Sequence, residues 1–181
     1  TNHNLNFVSK YGKTPRLWGS LKVMTGETPV DLTGNVVSAW NYNWMDVNTC
    51  LKAGAKVVNL CDWLLYLVPS VNYYHDFLDY QWLYESWMPE MMRKDDPKVE
   101  KRNPNFLGAM LAVWNDRVGN GISQQDVHVR TFPALQVVCE KMWKGENVQH
   151  VSYAQFKALC QLTPEAPGVN LLAKVPRRTV L

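Results

Sequence analysis

The chain has 181 residues, 46% of them apolar and 19% charged, with a net charge of +3. That length and apolar share suit one ordered domain with a sizeable core, and the small, dispersed charge excludes an electrostatic footprint for nucleic acid. The longest apolar stretch, Leu60 to Pro69, is broken by Asp62 and falls well short of the roughly 20 residues that cross a bilayer, so no membrane attachment is expected.

Tryptophan is the unusual component. Eight Trp and eight Tyr supply broad flat faces, which fill a core or stack on sugars, bases and other rings. The four cysteines, Cys50, Cys61, Cys139 and Cys160, form no C-x-x-C pair, and His3, His75, His128 and His150 are equally scattered. Neither a metal site nor a cofactor is expected, and buried free thiols are the favoured reading. The first residue is Thr1, with no initiator Met and no signal peptide, which points to a mature product or a piece of a longer chain.

In chain order, Asn4 to Tyr11 reads as the last turns of a helix stopped by Gly12. Pro15 to Gly19 is a short strand carrying Trp18, and Ser20 to Asn35, rich in Gly, Thr, Pro and Asp, is a long connection. Val36 to Trp40 is a buried strand that again ends in tryptophan. Asn43, with Asp46 three residues on, offers an N-cap for a helix that stops at Ala53 and Gly54. The strand Lys56 to Cys61 follows, and Asp62 to Pro69 leads out of it past Trp63 and Tyr66. Val71 to Pro104 is the least regular part, with a helical segment from Phe77 to Trp87 and a charged turn from Arg93 to Arg102.

The run from Phe106 into Trp114, Asn115 and Asp116 reads as a strand buried on both faces, since Leu, Gly, Ala and Met offer no solvent side. Ser123 and Asp126 then start a helix through Trp143, with Phe132, Leu135, Cys139 and Met142 on one stripe, bent or restarted by Pro133 and ended by Gly145. Ser152 with Gln155 is a capping box opening a last helix to about Leu162. From residue 163 onward, Pro164, Pro167 and Pro176 with Arg177 and Arg178 suggest a linker or extended tail. Strands ending at Trp18, Trp40, about Cys61 and Trp114, each before a helix, make four βα units, or half of an eight-unit barrel.

The order YGKTPRLWG, VVSAWN, AGAKVVNLCDWLLYLVP, YESWMP, NPNFLGAMLAVWND, RTFPALQVVCEKMWKG resembles the C-terminal half of the catalytic barrel of family 20 glycoside hydrolases, the β-N-acetylhexosaminidases. The resemblance covers roughly residues 5 to 145. It implies an α/β fold, with residues 1–162 forming strands five to eight of a TIM barrel and 163–181 trailing. It further implies a secreted enzyme that removes terminal β-linked N-acetylglucosamine or N-acetylgalactosamine with retention, using the substrate's own acetamido oxygen as nucleophile.

On this resemblance Trp18, Trp40 and Trp114 match the tryptophans that enclose the acetamido methyl and the sugar ring. Tyr66 matches the tyrosine whose hydroxyl bonds the acetamido oxygen, and Asp116 the carboxylate, usually Glu, that binds hydroxyls at the far end of the ring. Where family members with a Y-L-D sequence carry a further Asp, Val68 follows Leu67. The family's Asp-Glu catalytic pair belongs to the end of the fourth strand, and no D-E dipeptide occurs here. Asp95, Asp96 and Glu90 read as solvated loop carboxylates, so the chain by itself is expected to lack a general acid and to be inactive. A non-catalytic sugar-binding half-barrel and an unrelated βα half-barrel with its tryptophans in the core are the alternatives. Open strand edges predict association with the missing N-terminal half or with a second copy.

Overall fold

The computed structural model describes residues 1–24, 26–97, 102–117, 121–144 and 151–163. Gly145, the Pro-containing segment from 164 onward and part of the charged turn before Arg102 lie outside the described residues. The chain is α/β with a four-stranded parallel sheet, and it divides into two compact units. The first holds Thr1–Tyr66 and Met88–Ala112, the second Leu67–Trp87 and Val113–Leu181.

The first unit opens with helix α1 (Asn2–Ser9), followed by β1 (Arg16–Trp18), β2 (Val36–Ala39), helix α2 (Val47–Lys52), β3 (Lys56–Asn59), the one-turn helix α3 (Asp62–Leu65) and β5 (Phe106–Ala109). The sheet order is β1-β2-β3-β5, every pair parallel. Residues Val36, Val37 and Ser38 pair with Arg16, Leu17 and Trp18 on one side, and with Lys56, Val57 and Val58 on the other. Fully buried Val37, Ala39 and Val57 form the sheet's contribution to the core, the β-branched pattern expected of strands covered on both faces. A single turn of 3-10 helix, Leu21–Val23, takes the place of a helix after β1.

Helix α2 is capped by Asp46, not by Asn43. Its carboxylate accepts from the Thr49 backbone N–H at 2.9 Å and from the Thr49 hydroxyl at 2.6 Å. Asn43 instead donates its own N–H to the Asn41 side chain at 3.1 Å, which closes a tight turn one step earlier.

The run from Phe106 to Trp114 is not one strand buried on both faces. It breaks after Ala109 and resumes as β6 (Ala112–Val113). The pairing with β3 slips between Val57 and Val58, which face Phe106 and Gly108, so that Leu107 is the extra residue of a bulge. Gly108 there has φ 136°, which glycine tolerates. The bulge and the edge position turn Leu107 (52% exposed) and Met110 to solvent.

Buried Asn59, at the end of β3, fixes the return path from the irregular segment. Its side-chain amide donates to the carbonyls of Pro89 and Met91 at 2.8 and 2.9 Å, and its oxygen accepts the Cys61 N–H at 2.9 Å. Glu90 and Asp96 are correspondingly not solvated loop acids. Glu90 is bound by Arg102 at 2.8 Å with its side chain largely covered, and Asp96 accepts the N–H groups of Met92 and Arg93. Asp95 is exposed as expected.

The second unit contains β4 (Tyr66–Leu67) from Leu67 onward, helix α4 (Tyr80–Glu85), β6 from Val113 onward, helix α5 (Gln124–Lys144) and helix α6 (Tyr153–Leu162). Ser123 and Asp126 cap α5 reciprocally, and Ser152 with Gln155 completes the capping box of α6. Helix α5 continues through Pro133 without a restart.

The buried face of α5 is not the stripe of Phe132, Leu135, Cys139 and Met142. It is Asp126, Arg130, Ala134, Val137, Val138 and Lys141. Arg130 and Lys141 are buried because each has a partner. Arg130 donates to Asp76 and to the Asp126 carbonyl, and Lys141 donates to the Tyr84 carbonyl at 3.2 Å. Phe132 and Leu135 stay more than a third exposed. Tyr84 stacks on Phe156 with 4.5 Å between ring centroids, which fastens α6 to α4.

Candidate functional site

In the first unit, the residues expected to form a pocket follow the C-terminal ends of neighbouring parallel strands. Trp18 is the last residue of β1, opposite Ser38 of β2, and is 41% exposed. Gly19 comes next and donates to the Ser38 carbonyl at 2.8 Å. A Cβ on residue 19 would sit 2.9 Å from that same oxygen, so the close approach that positions Trp18 requires glycine.

Trp40 directly follows β2 and is half-buried. Its indole N–H donates to Ser20 Oγ at 2.9 Å, and Trp44 meets it edge to face at 4.7 Å. The Tyr66 ring lies parallel to it, with 6.2 Å between centroids and 5° between planes. These contacts restrict the Trp40 side chain on several sides, in a geometry favoured by aromatic quadrupoles.

Tyr66 is set by the way the chain leaves β3. Asp62, 3% exposed, donates its N–H to the Trp40 carbonyl at 2.7 Å. Its carboxylate accepts from the Asn41 amide and from the Trp63 N–H, both at 2.9 Å. Asp62 thus ties the segment after β2 to helix α3, and one turn later that helix delivers buried Tyr66 beside Trp40. On the same sheet, Arg16 Nε donates to Ser38 Oγ at 2.8 Å and its guanidinium lies 3.9 Å from the sulfur of Met110.

In the second unit, Trp114 follows β6, donates its N–H to the Leu67 carbonyl at 2.9 Å and is 39% exposed. Asp116 is exposed two residues on, where its Oδ2 accepts the Tyr73 hydroxyl at 2.8 Å. That hydrogen bond to a carboxylate raises the Tyr73 phenol above its ordinary pKa.

No protein-family model matches the chain, and a comparison with the curated proteins finds no match.

In the first unit, Trp18 and the Trp40–Tyr66 pair present aromatic rings at adjoining strand ends. In the second, Trp114 presents an exposed ring and the Tyr73–Asp116 pair presents exposed hydrogen-bonding groups. Among the described residues, no group of three or more His, Cys, Asp and Glu could hold a metal ion. A groove of about 530 Å³ in the second unit, bordered by His128, Phe132, Tyr153 and Lys157, includes none of the sequence-predicted site residues.

The sequence reading did not assign Asp62, Asn41 or Ser20 to the site. Asp62 was detectable as the one charge interrupting the apolar run from Leu60 to Pro69. Ser20 and Asn41 carry no sequence signal, because their roles depend on which strand ends become neighbours.

Proposed function

We propose that this chain supplies the acetamido pocket and sugar-binding residues of a retaining exo-β-N-acetylhexosaminidase acting on terminal β-linked N-acetylglucosamine or N-acetylgalactosamine. Its fold on this reading is the C-terminal half of a TIM barrel, strands five to eight. The observation that carries the reading is the parallel Trp40–Tyr66 ring pair, held just beyond adjacent strand ends by Ser20, Asn41 and Asp62. This is where a βα fold concentrates its ligand contacts.

In the proposed mechanism Trp18, Trp40 and Trp114 exclude water from the acetamido methyl and the ring, and hold the acetamido arm beneath the anomeric carbon. Tyr66 keeps its proton and donates a hydrogen bond to the acetamido oxygen, aligning it for attack on the anomeric carbon as the bond to the leaving oxygen breaks. Asp116 accepts from sugar hydroxyls. The general acid is an Asp-Glu pair on a further strand, absent from these 181 residues, and these residues alone do not hydrolyse glycosides. A further set of βα units, or a second copy, covers the edges of β1 and β5, and the assembled enzyme works outside the cell.

The absence of a D-E dipeptide equally favours a second reading, a non-catalytic carbohydrate-binding half-barrel. Both readings require sugar binding. Titrating the chain with N-acetylglucosamine should give a saturable change in tryptophan fluorescence, which Trp40→Ala abolishes. No response at millimolar sugar would overturn both. Glycoside hydrolysis on addition of the complementary half would then select the first.

A further inference from the structure

We propose that Tyr73 is a specificity-determining residue which, together with Asp116, receives two neighbouring hydroxyl groups of the bound sugar. The proposal rests on the sugar-binding reading above and concerns the end of the ring opposite the acetamido group. On the family resemblance, position 68 is where a further hydroxyl-binding carboxylate would stand. In this chain it is Val68, apolar and 1% exposed, so it offers no hydrogen bond and no access. The Tyr73 hydroxyl meets Asp116 at 2.8 Å instead, on residues that both face solvent.

The donor and acceptor inventory defines what such a pair reads. The single proton of Tyr73 is committed to Asp116 Oδ2. A lone pair on the phenol oxygen and the second carboxylate oxygen, Oδ1, then face an incoming ligand as acceptors. Two acceptors held side by side match two hydroxyl donors at the same end of the ring, which the 4- and 6-hydroxyl groups of a hexosamine, on either side of C5, provide. A lone carboxylate would accept either hydroxyl without requiring both.

The loop that carries Tyr73 is also staked down, which a chance surface contact does not require. Asp76 accepts the Ser70 N–H at 3.1 Å, where Ser70 holds a φ of 64°. The same carboxylate binds the buried guanidinium of Arg130 at 2.7 and 3.2 Å. Tyr73 therefore sits within a short loop closed at one end by Asp76 and anchored to a 21-residue helix, which limits the ordering cost of using it for recognition.

The test compares wild type, Tyr73→Phe and Asp116→Asn in fluorescence titrations with N-acetylglucosamine and its 4-deoxy and 6-deoxy analogues. Tyr73→Phe should weaken N-acetylglucosamine binding about 3- to 10-fold, the range of one hydrogen bond. It should leave unchanged the affinity for whichever deoxy analogue lacks the hydroxyl seated on Tyr73. Three results overturn the proposal. If Tyr73→Phe binds like wild type while Asp116→Asn is weakened, Asp116 works alone. If Tyr73→Phe weakens all sugars equally, its role is structural. If wild type gives no saturable response to any sugar, the sugar-binding reading fails and this inference with it.

Discussion

Asp76 and Arg130 form a two-point ion pair across a long stretch of sequence, with guanidinium nitrogens 2.7 and 3.2 Å from the two carboxylate oxygens. Arg130 is almost fully buried, at 1% of its side-chain surface, while Asp76 keeps 39%. The guanidinium also lies 4.5 Å from the centre of the Phe77 ring. The second unit thus uses a charge where an apolar side chain would be expected, and the charge determines which face of α5 turns inward.

Replacing the carboxylate by an amide removes the charge and one of its two acceptor oxygens, leaving the buried guanidinium a single neutral acceptor at position 76 beside the Asp126 carbonyl and the Phe77 ring. Asp76→Asn should cost about 1–2 kcal/mol, less than a fully buried pair because solvent screens the Asp76 side. Arg130 holds the Asp76 carboxyl below the ordinary carboxylate range. A group depressed on folding stabilises above its unfolded pKa of about 3.9, and that contribution is lost as pH falls through the folded value. Thermal melts of wild type and variant should differ at pH 6 and converge toward pH 2. Parallel curves across that range would show that the pair contributes nothing.

Gly19→Ala should destabilise the first unit by about 1–3 kcal/mol. The added methyl meets the Ser38 carbonyl oxygen at 2.9 Å and the Ala39 Cα at 3.3 Å, and both are backbone atoms that cannot rotate away. Because Trp18 precedes the strained residue, its emission should shift with the loss of stability. Unchanged urea midpoint and emission would refute the close-approach account.

The thiols should separate into two classes. Burial pushes both Cys50 and Cys61 up to about 12, with the charges of Asp46 and Asp62 adding to it. Cys139 is exposed and Cys160 half-buried. Iodoacetamide at pH 8 should therefore modify Cys139 and Cys160 in the native protein, and Cys50 and Cys61 only after unfolding. Peptide mapping that finds Cys61 alkylated under native conditions would contradict its packing against the Met92 carbonyl.

Pro133→Ala should raise stability by about 1–3 kcal/mol, since proline inside a helix removes one hydrogen bond and crowds the preceding turn. Helix α5 runs through Pro133 with Ala134 fully buried behind it and Phe132 partly exposed before it. A urea midpoint that fails to rise would mean that the groove beside Pro133 depends on the ring.

Local signals were legible where a few adjacent residues decide the outcome. Ser152 with Gln155, Ser123 with Asp126, and the apolar runs around Val37 and Val57 predict their elements because capping and strand burial depend on near neighbours. The parallel arrangement of four strands is likewise implied by short apolar runs separated by connections too long for hairpins. The positions of Trp18 at a strand end, and of Trp40 and Trp114 just after one, are visible in the sequence for the same reason.

Only the tertiary structure decided which faces turn inward and which side chains meet. The stripe through Phe132 and Leu135 has the right period for a core face. The charge pairing of Arg130 with Asp76 and the reach of Lys141 to Tyr84 nevertheless bury the other side. The bulge at Leu107 arises from a register between β3 and β5 that neither strand encodes alone. Trp40 against Tyr66, and Tyr73 on Asp116, are likewise products of chain return. Composition and spacing determined the elements and their order, because those follow from short-range propensity. The contacts that build a site follow from which distant residues the packing of those elements makes neighbours.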